Sequence, residues 1–448
     1  MLFLPSSVEP IVMSFSAAFT EPTAARMVVL LVGMILARGR RTVTAMLRVM
    51  GAAAPGHFSD YHRVFSRAPW SPWSLAPILA RLIIELVPPG ESIPVAVDET
   101  TAQHKGSKVY GKGRHRDAVR SSHTHTVYTW GHKWVVLAIV IQFPFAPCPW
   151  SLPVLAALCR PEELNRAENR RHKTPSVLAR QLLSALIHWF PERRFILLGD
   201  GGYATTALAA FCSRHDHPLV SRLRPDAALY APAAARKAKQ PGRPRKKGRK
   251  IDSPQQVARR KNAAWTNATV DGYGGGTRRV RLLTGTGVGY NRTHVVPIRW
   301  VYVVDRQGTH RDDGVFSTDV TLSPRRIVSL FTRRWSIEVT FEEIRAHLGF
   351  ETTRQRVAPS VLRMAPCLFG LFSVISLAYA HHVRRHRARP ASTPWYVKTH
   401  VTFSDAIATV RRQLWAITVF GTSRYAREYE KLSPGLRNQL LDQLSRAA

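Results

Sequence analysis

The stretch Phe331-Thr-Arg-Arg-Trp-Ser-Ile-Glu338-Val-Thr-Phe-Glu-Glu-Ile-Arg345 decides how the rest of this chain is read. On a helix, at about 100° per residue, Phe331, Arg334, Glu338 and Arg345 fall within an arc of about 60°. One face then carries an aromatic ring, a carboxylate and two guanidiniums. A carboxylate can hold a divalent metal and arginines beside it can hold phosphate, which suits phosphoryl chemistry on a nucleic acid. Leu330, Ile337, Phe341, Ile344 and Leu348 form an adjacent apolar stripe. Ser323-Pro324 supplies an N-cap and a first-turn proline, and Gly349 a C-terminal stop. The spacing predicts one helix between these signals. Taken alone, it also describes a surface helix with an Arg334–Glu338 ion pair.

Composition narrows the partner. The chain has 448 residues, with 65 Lys and Arg against 29 Asp and Glu, a formal charge of +36. A field of that strength favours a polyanion, nucleic acid first and an anionic membrane surface second. Cys148, Cys159, Cys212 and Cys367 are far apart and form no Cys-x-x-Cys pair, which argues against a zinc finger and fits a reducing cytoplasm. The first residues lack a basic segment and a long apolar core, so no signal peptide is expected. Trp134 to Cys159 is broken by four prolines and reads as a buried strand followed by a loop. Met364 to Ala380 reads as a buried core helix, and no membrane partner is expected.

Outward from that helix, residues 1 to 90 read as helical, with helices at Glu21–Ala37, Arg41–Met50 and about Ser59–Arg67. The segment from Arg38 to Gly51 resembles part of a helix-turn-helix, a weak signal shared by many helical bundles. Ile93 to Asp98 is a short apolar run ending in an acid. His123–Trp130 and Lys133–Phe143 flank Gly131-His132 and read as a hairpin. Thr174–Trp189 reads as an amphipathic helix. Arg194 to Asp200 is a second buried strand ending in an acid, followed by a helix at Ala204–His215. This order predicts an α/β layer fold. Residues 231 to 250 carry nine basic side chains and no acid, and are expected to be disordered when free. Arg243 and Arg245 there suit either a minor-groove hook or a nonspecific phosphate-binding loop.

Asp98, Asp200 and Glu338, meeting at one sheet edge, can bind two Mg²⁺ ions. Glu342, one turn from Glu338, is its rival as third ligand. Glu99 is expected on the opposite strand face. His123 and His125 share a strand face without an evident third metal ligand.

On these motifs the chain resembles bacterial insertion-sequence transposases of the DDE type, in the branch marked by a Tyr-x2-Arg-x3-Glu-x6-Lys helix. Here that signature is Phe331-x2-Arg334-x3-Glu338-x6-Arg345. Val97-Asp98-Glu99-Thr100 resembles the first acidic motif, and Gly199-Asp200-Gly201-Gly202-Tyr203 the second. The resemblance covers roughly residues 35 to 380. It implies an RNase H-like mixed sheet flanked by helices, a catalytic and metal-binding triad at Asp98, Asp200 and Glu338, and DNA phosphate contacts at Arg334 and Arg345. Phe331 stands where the family has tyrosine and lacks its hydroxyl; Arg345 stands where it has lysine.

The resemblance also implies a β-rich insertion between Asp200 and Glu338. There Trp300 is either a stacking platform for a flipped base or a core residue. Tyr203, Lys105 and Phe331 complete the expected DNA contacts. The expected division is a helical DNA-end-binding domain (1–90), a core in two parts (91–223 and 301–365), the basic linker and insertion (224–300), and a helical C-terminal region (366–448) with a possible role in oligomerisation. The implied activity is cut-and-paste transposition of double-stranded DNA. It would require Mg²⁺, replaceable by Mn²⁺, in a cytoplasmic, nucleoid-associated protein that dimerises on its DNA.

Overall fold

Five helices open the chain: α1 (Glu9–Ser14), α2 (Glu21–Leu36), α3 (Val43–Met50), α4 (Phe58–Ser66) and α5 (Pro72–Ile84). Thr42 and Ser71 cap α3 and α5 by accepting the backbone N–H groups of Ala45 and Trp73. The computed structural model describes all residues except 1, 117–120, 122–123, 236–242, 307, 309–311, 389, 393–394, 422–425 and 447–448. Next come β1 (Ile93–Gln103), β2 (Gly113–Arg116), β3 (Tyr128–Ile141) and β4 (Trp150–Cys159), then α6 (Glu162–Ala167), α7 (Pro175–Trp189), β5 (Phe195–Leu198), α8 (Thr206–Arg214) and β6 (Leu219–Arg222). The following segment holds β7 (Leu229–Tyr230), β8 (Lys250–Ile251), α9 (Pro254–Ala258), β9 (Thr266–Asp271), β10 (Thr277–Tyr290), β11 (Val295–Asp305) and β12 (Asp313–Ser317). Helices α10 (Pro324–Arg333), α11 (Ser336–Leu348), α12 (Ala358–Val383), α13 (Phe403–Gln413), α14 (Ala426–Lys431) and α15 (Pro434–Ser445) end it.

The apolar runs at 93–97 and 195–198 are buried on both faces, as central strands with a parallel neighbour require. β1 pairs in parallel with β5, and β5 with β6; β1 pairs antiparallel with β3, and β3 with β4. The order β4-β3-β1-β5-β6, covered by helices, is an RNase H-like mixed sheet. β6 then pairs with β12, and β12 leads through β11 and β10 to β7 and β8, with β9 also on β10. The insertion therefore extends the core sheet into twelve strands. The boundary expected at residue 300 falls inside β11.

Three other expectations are corrected. No turn exists at Gly131-His132: β3 runs straight through, and a side chain at Gly131 would meet the Ala102 carbonyl at 2.0 Å. Glycine serves a close backbone approach there. The residues before Cys159 form edge strand β4, whose Pro153 sits at a register shift opposite Ala138. The long helix is broken at Arg334-Trp335. The N–H groups of Arg334, Trp335, Ile337 and Glu338 bond three residues back, a tighter winding than the α-helix. α10 packs over β9, β12 and β6, while α11 packs over β4 and β1. A twisted sheet turns beneath them, so a straight helix could not follow both halves.

α12 is long and apolar enough to cross a membrane. It is mostly buried, against β4, α4, α5 and α13, as a core helix. The loop between β7 and β8 is partly docked: Lys247 stands over the Tyr230 and Tyr290 rings at 3.5 and 4.2 Å.

Candidate active site

Asp98 lies in the middle of β1, not at its end. β5 stops at Leu198, which is in register with Ala96, so Asp200 arrives beside Asp98 where the two strands diverge. Asp200 is held by its own turn. Its Oδ1 accepts the Gly202 N–H at 2.9 Å, and its carbonyl accepts the Ser221 hydroxyl at 2.6 Å. The sequence reading missed these two positioning groups; the Gly-Gly after the acid was their only trace.

The break between α10 and α11 aims Arg334 down at the sheet. Its Nη1 donates to Asp98 Oδ2 at 2.9 Å and its Nη2 to Glu338 Oε1 at 2.8 Å. Arg334 is 9% exposed, and its Nε is buried without a partner. The ion pair of a plain surface helix is present, but it is the inner half of a bridge to Asp98. Glu338, in the first turn of α11, makes that bridge, whereas Glu342 is exposed. Glu99 points to the other face and pairs with Lys133 at 3.0 Å.

Burial pushes the Asp98 carboxyl up to about 7. Arg334 and the Glu99 N–H pull it down, while Asp200 and Glu338 repel its charge and add to the rise. Three carboxylates therefore lie close enough to feel one another. Their hard oxygens suit Mg²⁺ or Mn²⁺, and Asp98 and Glu338 already hold one cation between them, the Arg334 guanidinium. The residues fit a divalent ion in donor type. In this conformation no three His, Cys, Asp or Glu side chains among the described residues close round a single point.

The expected DNA contacts divide sharply. Phe331 is buried, with the Arg334 guanidinium 5.8 Å from its ring centre, so it is packing beneath the bridge. Tyr203 is 2% exposed and walled in behind the acids, its hydroxyl without a partner. Trp300 is 4% exposed and lies across Gly285, where a side chain would meet the indole at 2.6 Å; it is a core residue, not a platform for a base. Arg334 is spent on carboxylates, because a buried guanidinium takes the nearest anions. Arg345 donates to the Thr100 hydroxyl and, at 3.3 Å, to the Thr101 carbonyl, pinning α11 to β1. Lys105, Arg243 and Arg245 are exposed. His123 and Gly242 lie outside the described residues, so neither the histidine pair nor the full hook is defined.

None of the curated proteins compared matches the chain. Residues 14–277 match the family described as DDE superfamily endonuclease, a span that takes in Asp98 and Asp200 and stops before Glu338. The chain therefore belongs to the DDE superfamily endonucleases, nuclease-type enzymes whose substrate is DNA and which generally use divalent metals.

Proposed function

We propose that this protein is a cut-and-paste DNA transposase. It binds the terminal inverted repeats of its element, hydrolyses a phosphodiester at each end, and directs the freed 3′-hydroxyl at target DNA. The observation that carries this reading is the Asp98–Arg334–Glu338 bridge with Asp200 close enough to repel the Asp98 carboxylate.

Asp98, Asp200 and Glu338 would hold two Mg²⁺ ions, or Mn²⁺. Bound there, the metal would supply a nucleophile at neutral pH and charge stabilisation at the departing oxygen. The chain itself supplies position. β1 and the turn after β5 carry the two aspartates, and the Arg345 bond to Thr100 ties α11, with Glu338, to β1. Arg334 neutralises the cluster before substrate arrives and must yield at least one carboxylate when a metal enters. Arg345, Lys105, Arg243 and Arg245 are the candidate phosphate contacts. Joining two ends calls for at least a dimer on DNA. The N-terminal helices are the candidate end-binding element and the C-terminal helices the candidate oligomerisation element, in a protein working on bacterial nucleoid DNA.

The test is incubation with labelled inverted-repeat ends and Mg²⁺ or Mn²⁺. Nicking followed by joining is expected, and Asp98→Asn, Asp200→Asn and Glu338→Gln should each abolish both. Nicking without joining would make the protein a nuclease only. Binding without nicking would make it an end-binding regulator.

A further inference from the structure

The sheet face that carries Asp98 continues, past the site, into an uncovered strip. Cross-strand partners share a face, and the register pairs Asp98 with Val136, Thr100 with Trp134 and Ala102 with His132. The same alternation brings Trp130 and Tyr128 of β3 to that face, with their β2 partners Arg114 and Arg116. Helix α11 and Phe350 cover the middle of the face, but none of the described residues covers this end. Trp130 is 59% exposed and Tyr128 48%, and both arginines are exposed. Cations line the rings: the Arg114 guanidinium lies 3.9 Å from the Tyr128 ring centre and the Lys112 ammonium 5.4 Å from that of Trp130.

A second segment closes the gap between strip and acids. The loop after α11 lies against the loop before β2, where the Tyr110 N–H donates to the Arg356 carbonyl at 2.9 Å. It presents Arg354 and Arg356 to solvent. Arg345 reaches Thr100, two residues past Asp98, and with Arg354 and Arg356 it adds to the cations at Lys112, Arg114 and Arg116. Residues 103–132 contain one acid, Asp117, against six Lys and Arg.

We propose that this strip binds an unpaired DNA strand leading away from the reacting phosphate. The proposal rests on the transposase reading of the acids and names a subsite for it. Basic side chains that track phosphates, interleaved with exposed rings on which bases stack, are what an unpaired strand needs. A duplex, with its bases stacked inside, would use the cations and leave the rings idle. Trp130 and Tyr128, two apart on a strand, are about 6.8 Å from each other along it, twice the stacked rise of bases. From Val136, beside Asp98, to Trp130 is about 20 Å along β3, the length of about six stacked nucleotides.

The test uses full-length Asp98→Asn protein, so that binding is read without cleavage. Fluorescence anisotropy would follow end duplexes carrying single-stranded tails of zero, three, six and nine nucleotides. Affinity should rise with tail length and level off near six, by about tenfold overall. Trp130→Ala with Tyr128→Ala should abolish the gain while leaving affinity for the tail-less duplex unchanged, and Trp130→Phe should keep most of it. An unchanged tail dependence in the double variant overturns the proposal, as does equal loss for tailed and tail-less DNA. Both side chains are exposed, so the fold is not at stake, and an unaltered Tm checks that. A protein that never cleaves, but shows the aromatic-dependent gain, would sink the transposase reading and leave the strip standing.

Discussion

At Arg334 two demands meet. Three carboxylates need positive charge, and a guanidinium 9% exposed needs anions. Each solves the other's problem, and on the proposed function Arg334 holds the oxygens a metal would need. Removing one member of a buried pair leaves the rest uncompensated. Arg334→Gln should therefore lower stability by about 1–3 kcal/mol, reduced from the fully buried case because Glu338 is partly exposed. The same variant should bind Mn²⁺ more readily, since nothing competes for the oxygens. Thermal melts with and without Mn²⁺ would read both effects, the metal raising Tm more in the variant than in the parent. Equal shifts would mean that Arg334 does not occupy the metal's place. The three acids stand out in the sequence because each is a charge at a set point in an apolar pattern. The bridge was only half legible, because Arg334 to Glu338 is a local spacing, while Arg334 to Asp98 spans 236 residues.

Helices and strands were legible where a period or a cap speaks for itself. Thr174, Ser323 and their following prolines start α7 and α10 as expected. Failures came where a neighbour decides. The break between α10 and α11 follows from the twist of a sheet that the helix's own residues do not encode. Strand alternation identifies which residues share a face but not which faces are covered, so it cannot tell buried Trp300 from exposed Trp130. Gly131 reads from sequence as a turn, although a glycine inside a strand also marks a backbone approaching closely. The distinction has a consequence. Gly131→Ala would place a methyl 2.0 Å from the Ala102 carbonyl, on the strand that carries Asp98. Overpacking of that kind costs about 1–3 kcal/mol or more, and should lower the unfolding free energy read from a denaturant titration by that amount. A turn glycine on the surface would tolerate alanine far better, and an unfolding free energy unchanged within about 0.5 kcal/mol would restore the hairpin reading.

Across the whole molecule, the parts that the sequence divides share one interior. A single apolar core joins the N-terminal helices, the sheet, α12 and α13. The joint is also polar. Arg41, before α3, donates to the His347 carbonyl at 2.6 Å, and Arg411 of α13 donates to the same carbonyl at 3.4 Å and to the Ile35 carbonyl at 2.7 Å. Both arginines are buried, and burial lowers their guanidiniums to about 10 and about 9. Two cations thus meet the negative end of α11, the helix that carries Glu338. Segments from both ends of the chain therefore converge on the far end of the helix that completes the acid cluster. The helices of 1–90 bury Leu30, Ile35, Leu79 and Ile83 within the shared core, and α4 and α5 pack directly on α12. Cut free, those side chains would face water and the fragment would keep only the contacts among its own short helices. An isolated 1–90 fragment should therefore show weak helical circular dichroism and no cooperative melt, while the full chain unfolds as one unit. A fragment that melted cooperatively and bound end duplexes by itself would show instead that the N-terminal helices are an autonomous module docked on the catalytic sheet.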